Sequence, residues 1–284
     1  MTHDGRPLAV LGAGTMGHGI AHAALTAGYP TRLYDVAEVP LQKAVEVIRA
    51  IFARSVELGK DTADNADVRL RFLSTTTSVA QAVRDAGVVI EAAPEKMDLK
   101  LALLAEVQVH APADAVIASN TSALSITEMA AVLDRPGRMG GMHFFNPVQK
   151  MKLVEVVRAL ETSDDTVRVM TEVAVAMGKE TVLIKESPGF ITSRINALIG
   201  NEAFYMLQEG VASARDIDKA LKLGLNHPMG PFELVDLVGL DTRLSILQYL
   251  HRTLGEKFRP CPLLEQHVAA GRLGLKVGQG VFDY

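Results

Sequence analysis

Leu8-Ala9-Val10-Leu11-Gly12-Ala13-Gly14-Thr15-Met16-Gly17 is the stretch on which the fold turns. Four apolar residues make a strand of buried length, and glycines in the spacing G-x-G-x-x-G lead from it into a helical pattern over Met16–Ala27. Gly12 permits a tight turn, Gly14 lets the backbone approach a pyrophosphate, and Gly17 packs helix against strand. Thr15 and Met16 open the helix, whose unpaired N–H groups and partial positive charge favour phosphate. Asp35 ends the next apolar run, where a carboxylate accepts hydrogen bonds from ribose hydroxyls and repels a 2′-phosphate. Val36 and Ala37 supply no arginine for that phosphate, so NAD is the expected cofactor rather than NADP. The plainer alternatives are a simple glycine turn and an Asp35 that only caps the next helix.

The same stretch invites a different reading by hydropathy. With His18 and His22 neutral, Pro7 to Thr31 carries no charge, as an export signal or membrane span would. Gly12, Gly14, Gly17 and Gly19 interrupt it, and closely spaced glycines suit a strand-to-helix turn better than a spanning helix. His18 and His22 share a helix face at the spacing of a metal pair, yet no H-E-x-x-H frame surrounds them, so packing is the expected role. The 284 residues favour two domains. A net charge of −4 gives no electrostatic reason to bind nucleic acid or an anionic membrane. Cys261, the single cysteine, rules out an internal disulfide and fits a cytoplasmic protein.

Beyond the glycine loop, short apolar runs alternate with amphipathic ones. Strands are expected at Leu8–Leu11, Thr31–Asp35, Leu70–Thr75, Val88–Ala92, Ala115–Ala118 and Met139–His143. Helices are expected at Met16–Ala27, Val39–Leu58, Val79–Asp85, Leu99–Val109 and Ile126–Ala131, the last opened by the capping box Ser125-Ile126-Thr127-Glu128. Two further strands, Lys152–Val157 and Thr181–Lys185, flank a helix at Thr166–Met177. Strands alternating with helices imply a parallel sheet covered on both faces. Ser187-Pro188-Gly189 ends this grammar, and from Phe190 the chain reads as helices. The expected architecture is an α/β Rossmann-type domain over 1–187 followed by an all-α domain over 188–284.

Oxidising an alcohol needs a base for the hydroxyl proton, and histidine titrates near working pH. His143 ends an expected strand, in Gly140-Gly141-Met142-His143-Phe144-Phe145-Asn146-Pro147, and open parallel sheets bind ligands beyond such ends. Glu155 lies among apolar residues of Val154-Glu155-Val156-Val157, where an acid is costly unless paired. Pairing with His143 would orient the imidazole and stabilise its charged form. Two unrelated polar residues remain the alternative.

Ser119-Asn120-Thr121-Ser122, the run His143–Pro147, Met151-Lys152-Leu153-Val154-Glu155 and Pro188-Gly189-Phe190 resemble the L-3-hydroxyacyl-CoA dehydrogenases, notably the bacterial 3-hydroxybutyryl-CoA branch. So do Lys222-Leu223-Gly224, Asn226-His227-Pro228-Met229-Gly230-Pro231 and Val238-Gly239-Leu240-Asp241, in the family's order. The resemblance implies His143 as base, Glu155 as its partner and Ser122 at the reacting oxygen. It implies Glu95, Lys100 and Asn120 near the ribose and nicotinamide of NAD, and Asn146 beside the substrate. It further implies a helical C-terminal domain that dimerises and closes over an acyl-CoA. Where the family commonly has asparagine after Pro-Gly-Phe, this chain has Ser193, expected to keep the role through a bridging water; Asn196, one turn on, is the alternative. Lys60 is a candidate for CoA phosphate or simply a solvated helix-end lysine, and the altered tail residues Leu275 and Val277 carry no mechanistic meaning. Two other functions stay open: a dehydrogenase of free hydroxy acids, like the lambda-crystallin and gulonate enzymes, and a non-catalytic NAD-binding protein.

Overall fold

Strand and helix alternate from the first apolar run onward in the computed structural model, which describes residues 5–284. Two units result, the first ending at Glu186 and the second spanning Ser187–Tyr284. The first opens with β1 (Leu8–Leu11), α1 (Thr15–Thr26), β2 (Thr31–Tyr34), α2 (Glu38–Glu57), α3 (Ala63–Arg71) and β3 (Leu73–Thr76). It continues with α4 (Val79–Val83), β4 (Val88–Glu91), α5 (Met97–His110), β5 (Val116–Ser119) and α6 (Ile126–Ala130). It closes with β6 (Met139–Phe144), β7 (Leu153–Arg158), α7 (Asp164–Ala176) and β8 (Glu180–Lys185). The sheet order is β3-β2-β1-β4-β5-β6-β7-β8, so β1 lies where the winding reverses, the switch point at which such sheets bind ligands.

All neighbours are parallel except β6 and β7, which run antiparallel. Only residues 145–152 join them, and a parallel crossover needs a dozen or more residues. The short link therefore turns the chain back on itself.

Side chains alternate across the strands. Val10, Ile90, Ala118, Met142, Phe144, Val154 and Val156 face one core shared with α1, α2, α3 and α7. The intervening residues face α4–α6: a Cβ at Gly140 would strike Met170 of α7, whereas one at Gly141 would strike Ile126 of α6. Glu91, Ser119, His143 and Glu155 all belong to this second parity, and all four are buried.

The expected strand Leu70–Thr75 is corrected: Leu70 and Arg71 complete α3, and β3 starts at Leu73. Thr62 caps α3 by accepting from the Asn65 N–H at 3.2 Å, and Leu70 packs on the core from the helix. A leucine serves either element, so the apolar run alone could not place the boundary. Within the uncharged stretch Pro7–Thr31, Leu8–Leu11 form β1 and Thr15–Thr26 form α1, and Leu8, Val10, Ile20, Ala21, Ala24 and Leu25 join the unit's core. Among the described residues no helix is long and apolar enough to cross a membrane.

The second unit contains α8 (Thr192–Gln208), α9 (Ala214–Gly224), α10 (Pro231–Val238), α11 (Leu240–Leu254) and α12 (Pro262–Ala269), around Phe204, Phe232, Leu247, Leu250, Phe258 and Leu264. Ser213 caps α9 through the Asp216 N–H. Asp236, fully buried, accepts from the Val281 and Phe282 N–H groups and the Tyr284 hydroxyl, pinning the tail against α10.

His22 packs on Phe52 with ring centroids 4.4 Å apart, and neither ring nitrogen has a hydrogen-bond partner among the described residues. Burial, aided by the nearby charges of Arg69 and Lys179, lowers its pKa from 6.5 to about 4. Above pH 6.5 the folded and unfolded states both hold it neutral; as pH falls toward 4 only the unfolded state takes the proton. Stability should therefore decline by up to about 3 kcal/mol over that window. Urea unfolding of a His22→Leu variant should lose this part of the pH dependence; an unchanged slope would count against it.

Candidate active site

At the mouth of the sheet, Gly12 takes a φ of 112°, and a Cβ there would lie 2.6 Å from the Ala92 carbonyl oxygen. The β1 turn thus passes closely over the end of β4. A Cβ at Gly17 would sit 1.7 Å from the Gly12 carbonyl oxygen, so α1 can leave the strand at this angle only with glycine. Gly14 differs, since a Cβ there meets nothing within 4 Å and points into open space. The helix it begins has no side-chain cap and no acid in its first turn, which leaves its N–H groups for an anion.

Asp35, just past β2, accepts from the Ala13 N–H at 2.8 Å through Oδ2. Its Oδ1 has no hydrogen-bond partner among the described residues. Open space at Gly14, an uncapped helix start and an available carboxylate oxygen fit a dinucleotide pyrophosphate and its adenosine ribose. Thr15 and Met16 form the first turn of that helix.

His143 stands opposite Glu155 in the antiparallel register of β6 and β7. Directly opposed residues project to the same face, and His143 Nδ1 meets Glu155 Oε2 at 2.7 Å. Both side chains are buried, at 7% and 1% exposure, which removes competing water from the pair. Donation of Nδ1–H to the carboxylate leaves Nε2 as the basic nitrogen. Phe145 packs against the imidazole with centroids 4.5 Å apart. The loop that follows contains a cis Asn146–Pro147 peptide, exposes Asn146, and is tied down by Lys179 Nζ, which donates to the Val148 and Met151 carbonyls. Burial holds the Lys179 pKa below its ordinary value.

The β5 loop meets this strand end. Asn120 Oδ1 accepts from the Phe144 N–H at 2.9 Å, fixing the loop beside His143. The half-buried Ser122 donates its N–H to Glu95 Oε1 at 2.8 Å, and Thr121 donates its hydroxyl to the same oxygen at 2.6 Å. Lys100 is 1% exposed and bonds Glu91 Oε1 at 2.7 Å, a buried partner that sequence reasoning missed. Glu91 carries the signal that exposed Glu155: an acid closing an apolar strand, Val88-Val89-Ile90-Glu91.

His143, Glu155, Asn120, Ser122, Glu95 and Lys100 thus gather at the ends of β4–β7. Lys60 stands exposed beyond the end of α2, outside that gathering. Ser193 and Asn196 lie in the first two turns of α8, in the second unit.

A phosphate-binding loop and a histidine–carboxylate pair on one doubly wound sheet define an NAD-binding dehydrogenase by class. Residues 7–187 match the family described as 3-hydroxyacyl-CoA dehydrogenase, NAD binding domain, and residues 189–284 match its C-terminal domain. The chain belongs to the 3-hydroxyacyl-CoA dehydrogenase family. It is 44% identical over 280 residues to a probable 3-hydroxybutyryl-CoA dehydrogenase of Bacillus subtilis, covering 98% of this chain and 97% of the relative. It is 42% identical over 280 residues to 3-hydroxybutyryl-CoA dehydrogenase of Bradyrhizobium diazoefficiens, covering 98% and 95%. The crystal structure of (S)-3-hydroxybutyryl-CoA dehydrogenase from Ralstonia eutropha superposes with a TM-score of 0.94 at 41% identity, covering 98% of this chain and 99% of that one.

The glycines give a paired test. Gly14→Ala should fold with an unchanged melting temperature yet bind NADH at least about tenfold more weakly, because its methyl enters the phosphate's space. Gly17→Ala should lose thermal stability as well as NADH, because its methyl strikes backbone. Fluorescence titration with calorimetry separates the two; equal NADH affinity in Gly14→Ala would refute the cradle.

Proposed function

We propose that the protein catalyses the reversible NAD-dependent oxidation of L-3-hydroxyacyl-CoA to 3-oxoacyl-CoA, with 3-hydroxybutyryl-CoA as a substrate. The observation that carries this reading is the buried His143–Glu155 pair, aligned by strand register at the mouth of a dinucleotide-binding sheet. Gly12, Gly14, Gly17 and the first turn at Thr15 and Met16 hold the pyrophosphate, and Asp35 holds the adenosine ribose. Glu95 and Asn120 flank the nicotinamide half. When bound, the nicotinamide accepts or returns the hydride.

The chain's own residues handle the proton. His143 Nε2 takes the substrate hydroxyl proton as the C3–H bond breaks, and Glu155 stabilises the imidazolium. In reduction the imidazolium returns that proton to the developing alkoxide. Ser122 donates its hydroxyl to the C3 oxygen, lowering the energy of the charge that gathers there. Asn146 contacts the acyl end, and Lys60 meets a CoA phosphate. The working form is a cytoplasmic homodimer through the helical unit, a reading supported by the exposed Leu223, Leu225 and Leu237 on that unit.

The purified protein should oxidise NADH with acetoacetyl-CoA and ignore free acetoacetate; preference for the free acid would replace the CoA ester as substrate. His143→Ala should lower kcat about 10²–10⁴-fold while NADH affinity holds. Glu155→Gln should lower kcat by about tenfold or more with little change in KM. Normal turnover in His143→Ala would end this mechanism.

Asp35 governs the cofactor. Asp35→Asn keeps an acceptor for the Ala13 N–H but removes the charge that repels a 2′-phosphate. The ratio of kcat/KM for NADH over NADPH should fall about tenfold. A constant ratio would place the selectivity elsewhere.

A further inference from the structure

We infer that Glu91 is a positioning residue for the reaction: with Lys100 it sets the geometry of Glu95 and of the loop that carries Ser122. The inference rests on the reaction proposed above. Its basis is a closed ring of polar contacts. Glu91 Oε1 meets Lys100 Nζ at 2.7 Å, and Lys100 Nζ meets Glu95 Oε2 at 3.5 Å. Glu95 Oε1 accepts the Thr121 hydroxyl at 2.6 Å, and the Thr121 N–H donates to Ser119 Oγ at 3.2 Å. Ser119 Oγ closes the ring by donating to Glu91 Oε2 at 2.5 Å.

Two additional bonds anchor the ring to the β4 turn, where Glu91 Oε1 accepts from the Ala93 N–H at 2.6 Å and Lys100 Nζ donates to the Ala93 carbonyl at 3.1 Å. Backbone register prepares it, since Glu91 and Ser119 are direct partners across β4 and β5 and therefore share a face.

Fold stability is a poor explanation for this arrangement. Glu91 is 0% and Lys100 1% exposed, and the desolvation of such a pair often cancels its Coulombic attraction. Apolar residues of similar volume commonly stabilise as well or better. Direction is what the ions add. One buried lysine stands between two carboxylates, one inside the protein and one, Glu95, whose side chain is 43% exposed. Lys100 meets Glu91 at 2.7 Å and Glu95 at 3.5 Å, so Glu95 is the less closely paired carboxylate, at the surface end, and it in turn holds the Ser122 N–H. A dinucleotide bound as such sheets bind one would put its nicotinamide half on this β4–β5 side of the switch point and its adenosine half on the β2 side. Losing Glu91 should thus disturb one half of the site and leave the other intact.

Glu91→Gln keeps the volume and an acceptor for Lys100 but removes the charge. Ser119→Ala removes one member of the ring, and with it the contacts to Glu91 and to the Thr121 N–H, but leaves all three charges. For acetoacetyl-CoA reduction, Glu91→Gln should lower kcat ten- to a hundredfold. Ser119→Ala should lower it about fivefold. In both, the inhibition constant of ADP, which occupies only the adenosine half, should stay within about twofold of wild type. Wild-type kcat in both folded variants would overturn the inference, as would ADP affinity falling in step with kcat. If Glu91→Gln does not fold, Ser119→Ala decides alone. An inactive wild-type protein would instead refute the reaction itself, before any variant is compared.

Discussion

The register between β6 and β7 is the constraint on which the site depends. Because the two strands run antiparallel, His143 and Glu155 stand directly opposite and turn to one face, although they are twelve positions apart in sequence. A slip of one residue would send one side chain into the apolar core with Met142 and Phe144 and leave the other behind. Val154 and Val156 oppose such a slip, since it would carry them out of that same core. The apolar neighbours of Glu155 therefore do more than surround it. They fix which residue it meets.

A second constraint acts at the glycine loop. The β1 turn reaches the Ala92 carbonyl so closely that no side chain fits at Gly12, and α1 leaves so sharply that none fits at Gly17. The β4 turn thereby takes part in both halves of the site. Its backbone supports the glycine loop, and its Glu91 and Glu95 reach toward the β5 loop. Strand ends that are only neighbours in the sheet become one connected surface.

Much of this was legible in the sequence. The glycine spacing and Asp35 could be stated from residue types, because each rests on local chemistry that few alternatives satisfy; the pairing of His143 with Glu155 was one of two readings those residues left open, and strand register decides it. The sense of β7 relative to β6 was not drawn, although the short link over 145–152 contained it: length, not composition, carries that information. The α3–β3 boundary lay beyond reach because Leu70 and Leu73 are apolar in either element, and the Thr62 cap competes with no sharper signal. Glu91 and the inward course of Lys100 were also missed. The resemblance placed Lys100 beside the cofactor, and its buried bond to Glu91 follows only once the strand beneath it is known to end in that carboxylate.

Asp35 links two properties that sequence alone would treat as separate. One carboxylate oxygen holds the Ala13 amide in the glycine loop, and the other is the one proposed to meet the ribose. Nucleotide preference and loop shape consequently share a single side chain. A basic residue in its place would take the acceptor from the Ala13 amide along with the charge, so a change of nucleotide preference made there also loosens the glycine loop. Asparagine is the exchange that separates the two, because it keeps the acceptor and gives up only the charge.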